Sequence, residues 1–203
     1  MWRGVRIGVD VETLRHFRAM KDEFFATDPG SPLPARQRAR FRGLAYFEPN
    51  LDLVVEAEIR ASVASSEVDL VTSSGDTERY RRAGVVSFEI AGVPAAVTLF
   101  RSHHGELFVP FRDATSGTET HGAGRYLEAR TLSNGHALLD FNYAYNPYCA
   151  YSSEWRCPIP PAENHLTVPI RAGEMRYGDV ASPGTAVKRG IVAHLRRPSR
   201  AKG

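Results

Sequence analysis

Cysteine is scarce in this chain: Cys149 and Cys157 are the only two among 203 residues. Structural zinc sites place cysteines two to four residues apart and need four ligands. Here seven residues intervene and the other ligands are unassigned, so a metal site is disfavoured. A disulfide between the two is disfavoured in a reducing compartment, leaving two free thiols as the expectation. Long apolar runs are missing as well. No stretch approaches the roughly 18 uninterrupted apolar residues of a membrane-crossing helix, and Met1 to Asp10 lacks the apolar core of a signal peptide. The expected compartment is the cytoplasm, with no membrane partner. Gly122-Ala-Gly124 has neither the glycine spacing nor the strand-to-helix context of a dinucleotide-binding loop, which rejects a Rossmann fold. No cofactor is expected, and no internal repeat is present.

Charge is nearly balanced. The formal net charge of +3 divides unevenly: the first 170 residues carry 18 Lys/Arg against 21 Asp/Glu, and the remainder carries eight against two. A nucleic-acid-binding face would cluster its cations on the folded body, so nucleic acid is disfavoured as a partner. The stretch from Tyr177 to Gly203 mixes Gly, Pro, Ser and Ala with Arg196, Arg197, Arg200 and Lys202, a composition with little to bury. It reads as a basic flexible tail, with at most a short helix near Ile191 to Leu195. What remains is globular in composition, with 42% apolar and 24% charged residues. The expected organisation is an N-terminal extension over 1–9, one β-rich domain over 10–175 and the tail over 176–203.

Asp10 caps a predicted helix to about Phe25, because Val11, Leu14, Phe17 and Phe24 recur at three- or four-residue spacing. This apolar stripe is expected to lie on the core. Asp28 to Pro34 holds three prolines and a glycine and is read as irregular, with Pro34 in the first turn of a short helix through Phe41. Beyond Pro49 the pattern changes to short strands: Leu51 to Ile59, Glu67 to Thr72, Glu78 to Ala83, Val85 to Ile90, Ala95 to Arg101, Glu106 to Phe111, Gly124 to Arg130, His136 to Asn142 and Leu166 to Ile170. Turns at Ser74-Gly75-Asp76, Ala91-Gly92-Val93-Pro94 and Ser133-Asn134-Gly135 let consecutive strands pair as hairpins. A mainly β fold follows: an antiparallel meander closing into a barrel or stacking as a two-layer sandwich, with N-terminal helices packed on it.

Three constellations carry the candidate chemistry. From Asp140 to Asn164 a run of more than twenty residues without regular pattern holds Tyr143, Tyr145, Tyr148, Tyr151, Trp155 and both cysteines. Such a loop is either functional or pinned by packing, and its rings suit a concave pocket. Activation of Cys149 as a nucleophile would need His121 or His165 brought near it by the fold. The second constellation is Pro110-Phe-Arg112-Asp113-Ala-Thr-Ser-Gly117 with Arg125, where guanidinium and backbone amides can converge on an anion or merely make an ordinary turn. The third, Glu163-Asn164-His165, offers a general base or a strand-entry cap. His103-His104 reads as an exposed turn, since adjacent strand-end imidazoles point opposite ways.

The segments Leu107-Phe-Val-Pro-Phe-Arg-Asp-Ala-Thr-Ser-Gly117, Gly122-Ala-Gly-Arg-Tyr-Leu127, Leu139-Asp-Phe-Asn142, Tyr145-Asn-Pro-Tyr-Cys-Ala-Tyr151 and Cys157-Pro-Ile-Pro-Pro-Ala-Glu-Asn164 resemble the domain of unknown function 1684 family. Ser31-Pro-Leu-Pro34 and Phe41-Arg-Gly-Leu-Ala-Tyr-Phe47 fit it too, and the resemblance spans roughly residues 10 to 175. It implies a bacterial or archaeal protein without an established activity, and it assigns no catalytic residue.

The functional expectation is a pocket where the Arg112 and Cys149 loops meet, binding or acting on a small anionic organic molecule. Arg112 and Arg125 would hold the anion, with Asp113 and Asp140 orienting them and Asn142 and Tyr148 completing the wall. Whether the protein is an enzyme is left open; Asp140, Cys149 and Glu163 are the catalytic candidates for hydrolysis or another acid/base step. The alternative is a non-catalytic interaction module that docks a partner protein through the aromatic loop 143–161.

Overall fold

The computed structural model describes residues 10–61, 67–101 and 105–178. The expectations for 1–9, His103-His104 and the tail beyond Gly178 fall outside the described residues. The first element among the described residues is α1 (Val11–Thr27), entered through Asp10, whose side chain accepts from the Glu12 N–H at 3.1 Å and from the Thr13 hydroxyl. A side-chain cap of this kind satisfies amide hydrogens that have no intrahelical partner. Only Leu14 and Phe25 of this helix are fully buried. Phe17 and Met20 remain 41% and 57% exposed, so the helix does not lay its whole apolar stripe on the core as expected. Its ties run instead to loops: Phe17 meets the Tyr143 ring, Phe25 meets Tyr148 and Tyr151, and Arg18 donates to the carbonyls of Phe47 and Asn142.

After the irregular Asp28 to Pro34 stretch, α2 (Ala35–Arg38) is a single turn, with Pro34 at its cap rather than inside it. The strands are β1 (Val54–Glu58), β2 (Glu67–Val71), β3 (Thr77–Ile90), β4 (Val93–Arg101), β5 (Leu107–Phe111), β6 (Arg125–Thr131) and β7 (His136–Asp140). All pair antiparallel in the order β1-β7-β6-β5-β4-β3-β2. The hairpin meander is present from β2 to β7, and β1 adds to its β7 edge. The sheet is open, which corrects the barrel expectation. The β1 end reaches β3 only through a two-hydrogen-bond bridge between Arg60 and Val85.

Two expected strands, Glu78 to Ala83 and Val85 to Ile90, are one. The register shift between Arg82 and Gly84 that separates their patterns is a bulge inside β3. Ala91 and Gly92, at φ of 51° and 80°, make the two-residue turn into β4 that such positive angles favour. The expected last strand, Leu166 to Ile170, is not one: apart from the bridge of His165 to Arg112, that segment is irregular.

Alternation along the strands sorts side chains to two faces. One face carries Val86, Val97, Leu99, Val109, Leu127 and Leu139, covered by Phe141, Leu166, Val168 and Ile170 from the chain after β7. Each such side chain contributes roughly 1.5–3 kcal/mol on burial. The other face carries Leu70, Tyr80, Phe100, Phe108 and Tyr126. Strand β5 is buried throughout because both faces are covered. Its Pro110 has no N–H for a ladder, and Asn164 fills the gap. The Asn164 amide accepts from Thr98 N–H at 2.7 Å and donates to the carbonyls of Thr98 at 2.9 Å and Pro110 at 2.8 Å, stitching β4 to β5 where they diverge.

Candidate functional site

The residues expected to hold an anion are divided by the fold. Arg125 is fully buried, and its Nη2 donates to Asp113 at 3.0 Å and to the Ile170 carbonyl at 2.7 Å. Its Nη1 bonds the carbonyls of Ala172 and Glu174, while Nε is without a partner among the described residues. Burial pushes its pKa down, opposed by the Asp113 carboxylate. The second Asp113 oxygen accepts from Thr115 N–H and hydroxyl at 2.7 and 2.6 Å and from Ile170 N–H at 3.2 Å. This pair fastens the irregular segment after Leu166 to the sheet. Asn142 clasps Asn50, accepting from its N–H at 2.7 Å and donating to its carbonyl at 2.9 Å. Glu163 accepts from Arg82 at 2.9 Å in a partly exposed pair. Arg112 continues β5 through backbone bonds with Asn164 and Leu166. None of these five lines the cleft described next; Asp140 and Tyr148 do.

That cleft lies over the second sheet face and has a volume of about 1130 Å³. Its floor is Tyr126, Glu128 and Arg130 of β6 with Tyr80 of β3 and Leu138 of β7. Three β6 residues two apart share this face, while Leu127 and Ala129 between them point into the main core. Phe17, Met20, Lys21 and Phe24 of α1 form one wall. The aromatic loop supplies the other through Tyr143, Tyr145, Tyr148, Trp155 and Cys157. Neighbouring rings meet edge to face: Phe108 to Tyr126 at 4.8 Å, Tyr126 to Tyr145 at 5.8 Å and Tyr148 to Trp155 at 5.0 Å between centroids. Tyr151, expected in the same pocket, is instead buried behind the wall and donates to Glu174 at 2.7 Å.

Buried Glu174 holds the wall together. It accepts from Tyr151 and from Asn146 N–H at 2.8 Å and pairs with Lys21 at 2.6 Å, which docks α1. The Lys21 ammonium also sits 4.6 Å from the centre of the Tyr145 ring. Tyr145 donates to Glu128, whose carboxyl is raised by burial although it opens to the cleft. Arg156 is tied to Asp76 at 2.7 Å and to Glu78 at 3.4 Å. The Arg130 side chain has no hydrogen bond or ion pair among the described residues, so the cleft keeps one guanidinium available.

The two cysteines touch. Cys149 N–H donates to Cys157 Sγ at 3.3 Å, and both are free thiols. The Cys149 hydrogen bond to Cys157 raises the Cys149 thiol, aided by burial, and the same bond brings Cys157 down to about 7. The sequence nominated Cys149 as the nucleophile; the electrostatics favour Cys157. His165 instead approaches the Pro160 carbonyl at 3.2 Å, and His121 is lowered by burial beside Arg176. No group of three or more His, Cys, Asp or Glu suited to a metal occurs among the described residues.

Sequence reasoning missed Lys21, Tyr80, Tyr126, Glu128 and Arg130. The period-two pattern Tyr126, Glu128, Arg130 was available, but which strand face stays uncovered is not written in one strand.

The comparison with curated proteins finds no match. A solved relative is the uncharacterized protein from gene locus rrnAC0354 of Haloarcula marismortui, determined by solution NMR. It is 42% identical, with 82% of this chain and 94% of that chain covered and a TM-score of 0.64. The model of the protein of unknown function family DUF1684 matches residues 39–175. With two thirds of its length inside that match, and the aromatic loop and both cysteines within it, the chain belongs to the DUF1684 family.

Proposed function

We propose that the protein binds a small amphipathic organic anion in the cleft beneath α1. The observation that carries this reading is the aromatic cleft itself, whose volume of about 1130 Å³ slightly exceeds the roughly 300–1,000 Å³ usual for ligand sites. Phe17 and Met20 at its rim remain exposed among the described residues, and a bound apolar body would cover them. Arg130 offers the counter-charge for the ligand's acidic group, and Tyr145 with Glu128 offers a hydroxyl and a carboxyl beside it. The anion of the sequence reading is retained, whereas its holder moves from Arg112 and Arg125 to Arg130. The concave form favours a small molecule over the flat docking patch of an interaction module.

The test is titration with 8-anilinonaphthalene-1-sulfonate, an aromatic sulfonate, followed by probe fluorescence and calorimetry. One site per chain is expected. Arg130→Ala should weaken binding about tenfold to a hundredfold, the scale of a charged hydrogen bond of roughly 1.5–3 kcal/mol, and Phe17→Ser should weaken it too. Unchanged affinity in both folded variants overturns the reading. Saturable binding of a peptide to the loop with no probe binding would establish the interaction module in its place.

A further inference from the structure

We propose that Cys157 and Cys149 form a dithiol site on the cleft wall that hydroperoxides oxidise to an intramolecular disulfide. The two cysteines are already in contact: the Cys149 N–H donates to Cys157 Sγ at 3.3 Å, and both side chains are free thiols. An N–H aimed at this sulfur favours its thiolate, the form that attacks peroxide. Cys157 lines the cleft and Cys149 does not, which assigns the roles, and the electrostatics run the same way. Cys157 is brought down to about 7, whereas Cys149 is pushed up by its bond to Cys157 and by burial, so it stays a thiol until it is called on as the resolving group. Position supports the assignment. Cys157 lines the open cleft, and its backbone is fixed by reciprocal bonds with Ser73: Cys157 N–H to Ser73 Oγ at 3.1 Å and Ser73 N–H to the Cys157 carbonyl at 2.8 Å.

In the first step the Cys157 thiolate attacks one peroxide oxygen. A sulfur–oxygen bond forms, the oxygen–oxygen bond breaks, and the second oxygen leaves as hydroxide or alkoxide, to be protonated. In the second step the Cys149 sulfur attacks Cys157, a sulfur–sulfur bond forms, and the sulfenic oxygen takes up the Cys149 proton and leaves as water. Two thiols lose two electrons and two protons, and the hydroperoxide accepts them. The cross-link spans the segment that carries Trp155, so oxidation fixes that wall of the cleft.

The experiment treats the reduced full-length protein with hydrogen peroxide near neutral pH, alkylates the remaining thiols and reads both cysteines by mass spectrometry. The native protein should lose two hydrogens and protect both cysteines from alkylation, at least tenfold faster than the same chain in guanidinium. Cys149→Ser should accumulate a dimedone-reactive sulfenic acid on Cys157, and Cys157→Ser should leave Cys149 a thiol at the same dose. Circular dichroism verifies that each variant is folded. Two alkylatable thiols in the treated wild-type protein, oxidation no faster than in guanidinium, or Cys149 reacting as fast as Cys157 in the single variants overturns the proposal. Probe binding plays no part in this readout, so its failure and that of the ligand reading are separable.

Discussion

Arg125 and Asp113 show how a residue type can be recognised and its role still misassigned. An arginine and an aspartate near glycines and hydroxyls suit an anion loop, yet here each is the other's counter-ion in a fully buried setting. Removing one partner leaves the other charge buried and uncompensated, which costs about 3–5 kcal/mol. Arg125→Ala should therefore lower the free energy of unfolding obtained from urea titration by an amount of that size, and a variant as stable as wild type would show the pair to be dispensable. Glu128 carries a pH signature. Burial raises its carboxyl above 4.5, with the Tyr145 hydroxyl opposing. A carboxyl with a higher pKa when folded binds its proton more tightly in the native state. Its contribution to stability is greatest below the unfolded value and is lost as pH rises through the folded one. Glu128→Gln removes that loss, so the difference in Tm should move in the variant's favour as pH rises from the unfolded carboxyl's value through the raised folded one. Parallel calorimetric profiles would contradict it.

At the scale of elements, the bulge in β3 decides how far the sheet curls. Gly84 adopts φ +153°, and a Cβ there would lie 2.5 Å from Ile59 Cγ2 and 2.8 Å from the Arg60 carbonyl oxygen. The end of β1 thus reaches Val85 only because this position has no side chain. Gly84→Ala should break the Arg60–Val85 bridge and destabilise the fold by more than about 1 kcal/mol, seen as lost amide protection at Val85 in hydrogen exchange. Retained protection would mean that the bulge relaxes. The two half-strands were each legible from alternation, but their continuity was not, because a bulge shifts the side-chain period. The final expected strand failed for another reason. Leu166, Val168 and Ile170 alternate and are buried, yet they cap the sheet through side chains, with Asp113 and the Ala114 N–H meeting their backbone.

For the molecule as a whole, the main core runs without a break from Leu53 through the strands to Ala172, and Glu174 with Lys21 ties α1 to the same body. Unfolding should then be one cooperative event. In a Trp2→Phe variant, where Trp155 alone reports on the cleft wall, the fluorescence and far-UV circular dichroism transitions in urea should coincide. An earlier fluorescence transition would show the wall opening separately. No helix among the described residues is long and apolar enough to cross a membrane. The sequence by itself determined the helix start at Asp10, most of the strand positions, most turns and the irregular aromatic loop. These follow from capping, periodicity and turn chemistry, which act within a few residues. Only the tertiary structure decided that the sheet stays open, that Arg125 is buried, and that Lys21, Arg130 and Cys157 share one cleft. The physical reason is separation along the chain. Those residues lie on α1, β6 and a loop, and a local pattern specifies that a face is apolar or charged without specifying which distant segment covers it.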